Sequence, residues 1–161
     1  IPSKPSMILD VLKSVDNNDY VVWLDADAII WDNIDEIKLQ YDIGVTLRKP
    51  KGGIVDSPIN AGVCFFRKTP ATVKFMNTWI SACQNGVSDQ RELNRLLRGI
   101  SPTNVNSTLT YDIDNTIVTV RTFPCDVYNS WWFKKPQMHA KITHYKSKYR
   151  RFWPTRTIKK F

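Results

Sequence analysis

Five consecutive apolar residues, Tyr20-Val21-Val22-Trp23-Leu24, are cut off by Asp25-Ala26-Asp27, and the apolar character resumes at once as Ala28-Ile29-Ile30-Trp31. The run is β-branched and aromatic, which reads as a buried strand. Two carboxylates therefore fall at its C-terminal end, where ligands gather in an open α/β sheet. Acids placed so close repel each other and lose hydration unless a cation or a proton compensates them. A divalent metal carrying a phosphate substrate is the simplest compensation. The competing reading is a pair of solvated acids in a strand-to-loop turn.

The flanking segments predict alternating strands and helices. Pro5 with Met7, Ile8, Val11 and Leu12 has helical spacing, with proline at a tolerated first-turn position. Asp32 to Leu39 reads as a short helix, Ile43 to Leu47 as a second buried strand, and Gly62 to Phe66 as a third. Lys49 to Pro58, rich in Pro and Gly, reads as a surface loop. Thr69 caps a helix that begins at Pro70 and carries Val73, Met76, Trp79, Ile80 and Cys83 on one face. Ser88 caps another, with Leu93, Leu96 and Leu97 buried and Asp89 at the positive end of the helix dipole. Leu109 to Ile113 and Thr116 to Thr122 flank Asp114-Asn115, a hairpin turn signal. The alternation predicts an α/β fold with a largely parallel sheet and right-handed crossovers, followed by a β-rich C-terminal portion.

At 161 residues the chain can enclose one full core. No apolar run approaches the roughly 20 residues needed to span a bilayer. Cys64, Cys83 and Cys125 lack metal or disulfide-framework spacing, so thiols in a reducing, cytoplasmic setting are expected; a Golgi lumen is the alternative if the chain is part of a longer membrane-anchored protein. The net charge of +8 is uneven: ten lysines and arginines and no acid follow Asp126, so the part before Lys134 sums to about −2. A basic tail beside Trp131, Trp132 and Trp153 suits phosphate, nucleic acid or an anionic membrane surface.

Four blocks deliver polar groups to strand or helix edges: Asp25/Asp27, Asn60-Ala61-Gly62, Asp89-Gln90, and His144 with the basic residues after it. Two carboxylates and one imidazole, with water and phosphate oxygens completing the sphere, suit Mn²⁺ or Mg²⁺. In sequence, Trp23-Leu-Asp-Ala-Asp-Ala, Ile59-Asn-Ala-Gly-Val-Cys-Phe-Phe, Asp89-Gln-Arg-Glu-Leu-Asn94 and Thr143-His-Tyr-Lys resemble the nucleotide-diphospho-sugar glycosyltransferases of the GT-A fold. The likeness is greatest to the glycogenin and lipopolysaccharide galactosyltransferase group and the xylosyltransferase-like group. The resemblance implies a single GT-A domain over residues 1–161, with a Rossmann-like, mostly parallel sheet flanked by helices. It implies that Asp25, Ala26 and Asp27 hold the metal and the donor, with His144 as third protein ligand. Lys4, Asn60, Ala61, Gly62, Lys148 and Arg150 would bind the donor, and Asp89 with Gln90 would act at the sugar and acceptor. The implied donor is a nucleotide-diphosphate sugar, a UDP-sugar first, and the acceptor a glycan, glycoprotein or glycolipid hydroxyl. The anomeric configuration would be retained. No nucleic acid partner is expected, and the basic tail would supply a peripheral membrane contact.

The chain departs from that pattern in three places. Ser147 and Arg150 replace a glycine and a lysine after the histidine, and Arg91 replaces the second acid of Asp-Gln-Asp. The family's first strand and helix, which cradle the nucleobase, would precede Lys4, so the resemblance implies a domain whose N-terminal nucleotide-binding portion is missing from this sequence. Two other functions compete. Asp25-Ala-Asp27 and Asp112-Ile-Asp-Asn-Thr116 resemble the nucleophile motif of haloacid-dehalogenase-like phosphatases, although the second is better explained as a hairpin. A basic, aromatic module that binds single-stranded nucleic acid is the non-enzymatic alternative.

Overall fold

In the computed structural model, residues 3–49, 57–84, 86–131 and 139–145 are described. Helix α1 (Lys4–Ser14) leads into strand β1 (Tyr20–Leu24), and the short β2 (Ala28–Ile30) follows the acidic triplet. After a single 3₁₀ turn (Asp35–Ile37) come β3 (Ile43–Leu47) and β4 (Ile59–Arg67). Helices α2 (Pro70–Ala82) and α3 (Asp89–Leu96) precede the hairpin of β5 (Thr108–Ile113) and β6 (Thr116–Pro124). Short α4 (Cys125–Tyr128), β7 (Ser130–Trp131) and β8 (Ile142–His144) end the described chain.

The α/β layering follows the sequence pattern, with helices flanking a five-stranded sheet of order β1-β4-β3-β6-β5. Strand direction differs from the mostly parallel arrangement expected. Among the described residues of this sheet β3–β6 pairs in parallel, whereas β1–β4, β3–β4 and β5–β6 are antiparallel; in the smaller sheet β7–β8 is parallel. β4 is inserted in reverse between β1 and β3, and the β5–β6 hairpin reverses again. β4 is buried on both faces, so it carries the continuous apolar run usual for a parallel strand, and strand–helix alternation could not expose its reversal. The consequence matters for the site. β1, β3 and β6 all run one way, so their C-terminal ends meet the start of β4 at one edge.

Helix α2 starts as its sequence demands: the Thr69 hydroxyl accepts from the Thr72 amide, and Pro70 occupies the first turn. Its buried face is Thr72, Phe75, Met76 and Trp79, with Val73, Ile80 and Cys83 at the margin of the same cluster. In α3, Leu93 and Leu97 are buried and Leu96 is half-buried, but Ser88 makes no side-chain cap bond. The expected helix from Asp32 to Leu39 shrinks to the 3₁₀ turn. The Asn33 side chain accepts from the Asp35 amide at 2.6 Å and donates to the Asp35 carboxylate at 2.9 Å, a local bonding pattern that competes with helix.

Adjacent residues of β4 face opposite layers. Phe66 packs with Ile8, Leu12, Met76 and Trp79 under α1–α3, whereas Phe65 packs with Tyr41, Phe123, Tyr128 and Ile142 under the small sheet. Burying each such ring is worth roughly 1.5–3 kcal/mol. The second layer is a three-stranded sheet of order β2-β8-β7, which carries the segment after the acidic triplet back over the first sheet. The Lys49 to Pro58 loop lies largely outside the described residues, as do Trp132, Trp153, Lys148 and Arg150.

Candidate functional site

The site is built where β1 ends and β4 begins. The Asp25 amide donates to the Gly62 carbonyl at 2.9 Å, and the chain then turns so that the Ala28 amide donates to the Asp25 carbonyl at 2.9 Å. That tight turn exposes Ala26 and points Asp25 and Asp27 the same way. β2 pairs antiparallel with β8, setting Ala28 opposite His144, and the Tyr145 amide donates to the Asp27 carbonyl at 2.7 Å. Strand pairing thus brings His144 beside acids more than a hundred positions earlier.

His144 is 1% exposed. Its Nε2 lies 2.6 Å from Asp27 Oδ1 and 3.8 Å from Asp25 Oδ2. One ligand atom from each of Asp25, Asp27 and His144 falls within 4.8 Å of the others. Gly62 floors this cluster. A Cβ there would meet His144 Cε1 at 2.5 Å, His144 Nδ1 at 2.8 Å and Asp25 Oδ2 at 3.2 Å. Only a glycine lets the imidazole and the carboxylate close over the strand. Two hard carboxylate oxygens and one imidazole nitrogen are a donor set that fits Mn²⁺ or Mg²⁺.

The β4 segment is shaped for this role by a bulge. Val45 of β3 pairs with Cys64, yet the next residue, Thr46, pairs with Asn60, so Ala61, Gly62 and Val63 bow out of the β3–β4 ladder. Bulges of this kind re-aim backbone next to functional sites. Thr46 stitches the bulge, its hydroxyl lying 3.0 Å from the Asn60 carbonyl and 3.3 Å from the Val63 carbonyl. The Asn60 side chain is buried and accepts from the Gly62 amide at 3.2 Å.

Asp25 divides its two oxygens. While Oδ2 faces His144, Oδ1 accepts from Lys4 Nζ at 2.9 Å and from the Trp23 indole at 3.0 Å. Lys4 Nζ also reaches Asp89 Oδ2 at 2.9 Å and the Ala61 carbonyl at 2.9 Å, and sits 5.5 Å from the Trp23 ring centroid. Burial by itself would lower the Lys4 pKa, but the Asp25 charge and the hydrogen bonds to Asp25 and Asp89 outweigh it and hold the ammonium above its ordinary value.

Asp89 and Gln90 come from the first turn of α3, which is clamped to β4. Asn94 exchanges hydrogen bonds with the Ile59 amide and carbonyl at 3.0 and 3.1 Å, and the Trp79 indole donates to the Asp89 carbonyl at 3.0 Å. Gln90 Oε1 accepts from Arg48 and from the Ala61 amide, both at 3.3 Å.

Ten of the residues picked from the sequence therefore share one edge of the sheet: Lys4, Asp25, Ala26, Asp27, Asn60, Ala61, Gly62, Asp89, Gln90 and His144. Lys148 and Arg150 lie outside the described residues. His139 is in an exposed turn, apart from the cluster. Asp114 and Asn115 form the tight turn between β5 and β6, so the second phosphatase-like motif is a hairpin. Sequence reading passed over Thr46, Arg48 and Asn129. Asn129 is 2% exposed, with Oδ1 at 2.9 Å from His144 Nδ1 and Nδ2 at 3.0 Å from Thr46 Oγ1. No spacing or motif marks these residues; only the strand pairing does.

A family model described as nucleotide-diphospho-sugar transferase matches residues 3–152. No curated protein matches the chain. Among solved structures, the crystal structure of a glycosyltransferase involved in the glycosylation of the major capsid of PBCV-1 superposes with a TM-score of 0.61. That match has 14% identity and covers 92% of this chain and 72% of the other, a likeness of fold.

Proposed function

Because the chain belongs to the nucleotide-diphospho-sugar transferase family, we propose that it is a metal-dependent glycosyltransferase that moves a sugar from a UDP-sugar to a glycan, glycoprotein or glycolipid hydroxyl. The observation that carries this reading is the meeting of Asp25, Asp27 and His144 ligand atoms within 4.8 Å where β1 ends and β4 begins. Asp25, Asp27 and His144 would hold Mn²⁺ or Mg²⁺. Bound there, a divalent ion supplies Lewis-acid stabilisation of the departing diphosphate.

The chain's own residues do the rest. Lys4 holds Asp25 Oδ1, which leaves Oδ2 facing the cluster. The same ammonium holds Asp89 at the site, where a fixed carboxylate steadies positive charge that develops at the anomeric carbon as the bond to diphosphate breaks. The electron pair of the breaking C–O bond goes to the departing diphosphate, the acceptor hydroxyl oxygen bonds the anomeric carbon, and the hydroxyl proton passes to an oxygen of that diphosphate. Gln90, fixed between Arg48 and the Ala61 amide, lines the sugar side, and the side-chain-free Gly62 lets His144 and Asp25 close over the strand to face the donor's diphosphate. Retention at the anomeric carbon is the stereochemistry we favour, from the resemblance of the four motifs.

Thermal-shift and calorimetric screening of nucleotide sugars, with and without Mn²⁺, tests the reading. UDP-sugars are expected to stabilise the wild type in Mn²⁺ only, and Asp27→Ala to abolish the shift. A wild type indifferent to every nucleotide sugar in Mn²⁺, or an Asp27→Ala variant that binds equally well, overturns it.

A further inference from the structure

We infer that Asn129, with its amide turned by Thr46, is a positioning residue that fixes His144 with Nδ1 donating to it and Nε2 aimed between Asp25 and Asp27. This rests on reading those three residues as a metal centre. The argument is one of hydrogen-bond counting. The group of Asn129 nearest Thr46 lies 3.0 Å from the Thr46 hydroxyl and 3.5 Å from the Asn60 carbonyl. A carbonyl only accepts, so the atom facing it is the amide NH₂. The Thr46 hydroxyl has one proton and two carbonyls to serve, Asn60 at 3.0 Å and Val63 at 3.3 Å, so toward Asn129 it can only accept.

Both constraints turn the Asn129 oxygen the other way, to His144 Nδ1 at 2.9 Å. An amide oxygen has no proton to give, so Nδ1 must carry it and donate. Nε2 is thereby aimed at the acids, 2.6 Å from Asp27 Oδ1 and 3.8 Å from Asp25 Oδ2, a separation at which a proton bridges nitrogen and carboxylate until a cation takes its place on the Nε2 lone pair. An imidazole nitrogen binds a metal through that lone pair, and histidine ligands are typically oriented by such a second hydrogen bond. The flipped arrangement sets the Asn129 oxygen against the Asn60 carbonyl and makes Nδ1 an acceptor, so the ring's only proton would have to leave Nε2 before a cation could bind there. Burial isolates the relay from water: Thr46, Asn129 and His144 are each no more than 2% exposed. Thr46 thus links two tasks, stitching the β4 bulge that lowers Gly62 beneath the imidazole and setting the direction of the amide that orients it.

The test measures Mn²⁺ binding by calorimetry and the imidazole nitrogen coupling of bound Mn²⁺ by electron spin-echo modulation. It compares wild type, His144→Ala, Asn129→Ala, Asn129→Asp and Thr46→Val. Removing a partner of this kind typically weakens metal binding by about 10–100-fold. Asn129→Ala is expected to lose affinity in that range and to lose or weaken the nitrogen coupling even at saturating Mn²⁺. Asn129→Asp, which keeps an acceptor at Nδ1 but loses the donor toward Thr46 and Asn60, is expected to retain the nitrogen coupling at saturating Mn²⁺. Thr46→Val, nearly isosteric, carries the test if Asn129→Ala does not fold, and is expected to weaken the coupling. Wild-type affinity and coupling in Asn129→Ala, or in Thr46→Val where it stands in, overturn the inference while His144→Ala still weakens binding. Wild type and His144→Ala binding Mn²⁺ equally, or wild type not binding it, instead overturns the metal-centre reading and this inference with it.

Discussion

Gly62 and His144 meet without a side chain between them, the imidazole resting on the bare backbone of a strand that begins 85 positions before β8 ends. The contact is close enough that a methyl group at Gly62 would lie 2.5 Å from the His144 ring. Neither partner can retreat easily, because His144 is held in a strand pair and Gly62 accepts the Asp25 amide through its carbonyl. Gly62→Ala is therefore expected to destabilise the fold by about 1–3 kcal/mol through overpacking. It should also displace His144 from Asp27, and urea denaturation paired with Mn²⁺ calorimetry reads both effects. Wild-type stability together with wild-type Mn²⁺ affinity would show that the cluster does not depend on this contact.

Lys4 ties two acids to one cation, and its pKa is raised in the folded protein. A raised lysine pKa contributes stability below the unfolded-state value, about 10.4, and that contribution fades as pH climbs through the folded value. Lys4→Met should thus cost about 1–3 kcal/mol across neutral pH, the usual penalty for leaving charged partners unsatisfied in a part-buried place. The gap to wild type should narrow only above about pH 10.4. Denaturation series at several pH values check this, and a gap that closes between pH 5 and 9 would assign the effect to some other group.

Much of the architecture is legible because its signals are local. The apolar run of β1, the Thr69-Pro70 start of α2 and the Asp114-Asn115 turn each declare themselves within a few residues. The site was legible too where chemistry-bearing residues stood at strand or helix edges, as with Asp25, Asp27, Gly62 and Asp89. What escaped was relational. The reversal of β4 between β1 and β3, the bulge at Ala61–Val63 and the Thr46–Asn129–His144 relay depend on strand pairing, which leaves no periodic trace. The Asp32 to Leu39 segment misled for the opposite reason, because its helical spacing was overruled by the side chain of Asn33.

Cys64 lies in β4 on the helix-covered face of the sheet, and burial pushes its thiol up to about 12. At pH 8 it is almost wholly protonated and enclosed, so it is unavailable as a nucleophile. Native protein treated with DTNB at that pH should leave Cys64 unmodified in peptide mapping, with reaction appearing only on unfolding. Cys83 and Cys125 are half-buried, so they report accessible chemistry in the same experiment. Modification of Cys64 in native conditions would mean that β4 opens readily.

The β5–β6 turn offers a test of the fold away from the site. Asp114 and Asn115 have φ of 50° and 61°, the left-handed pair that a two-residue hairpin turn requires, with Ile113 opposite Thr116. Asp114 is also anchored to α2, where the Thr78 hydroxyl donates to its carboxylate at 2.7 Å. Asn115 is exposed, so substitution there probes backbone conformation with little loss of packing. Glycine occupies positive φ without a Cβ penalty, and Asn115→Gly is expected to hold or slightly raise stability. Asn115→Val forces a β-branched side chain into the left-handed region and is expected to cost about 1–2 kcal/mol. The difference should appear as a shift in urea midpoint at unchanged slope, because neither variant alters the surface exposed on unfolding. Equal midpoints for the two would rule out the left-handed turn, and with it the register that aligns β6 beside β3.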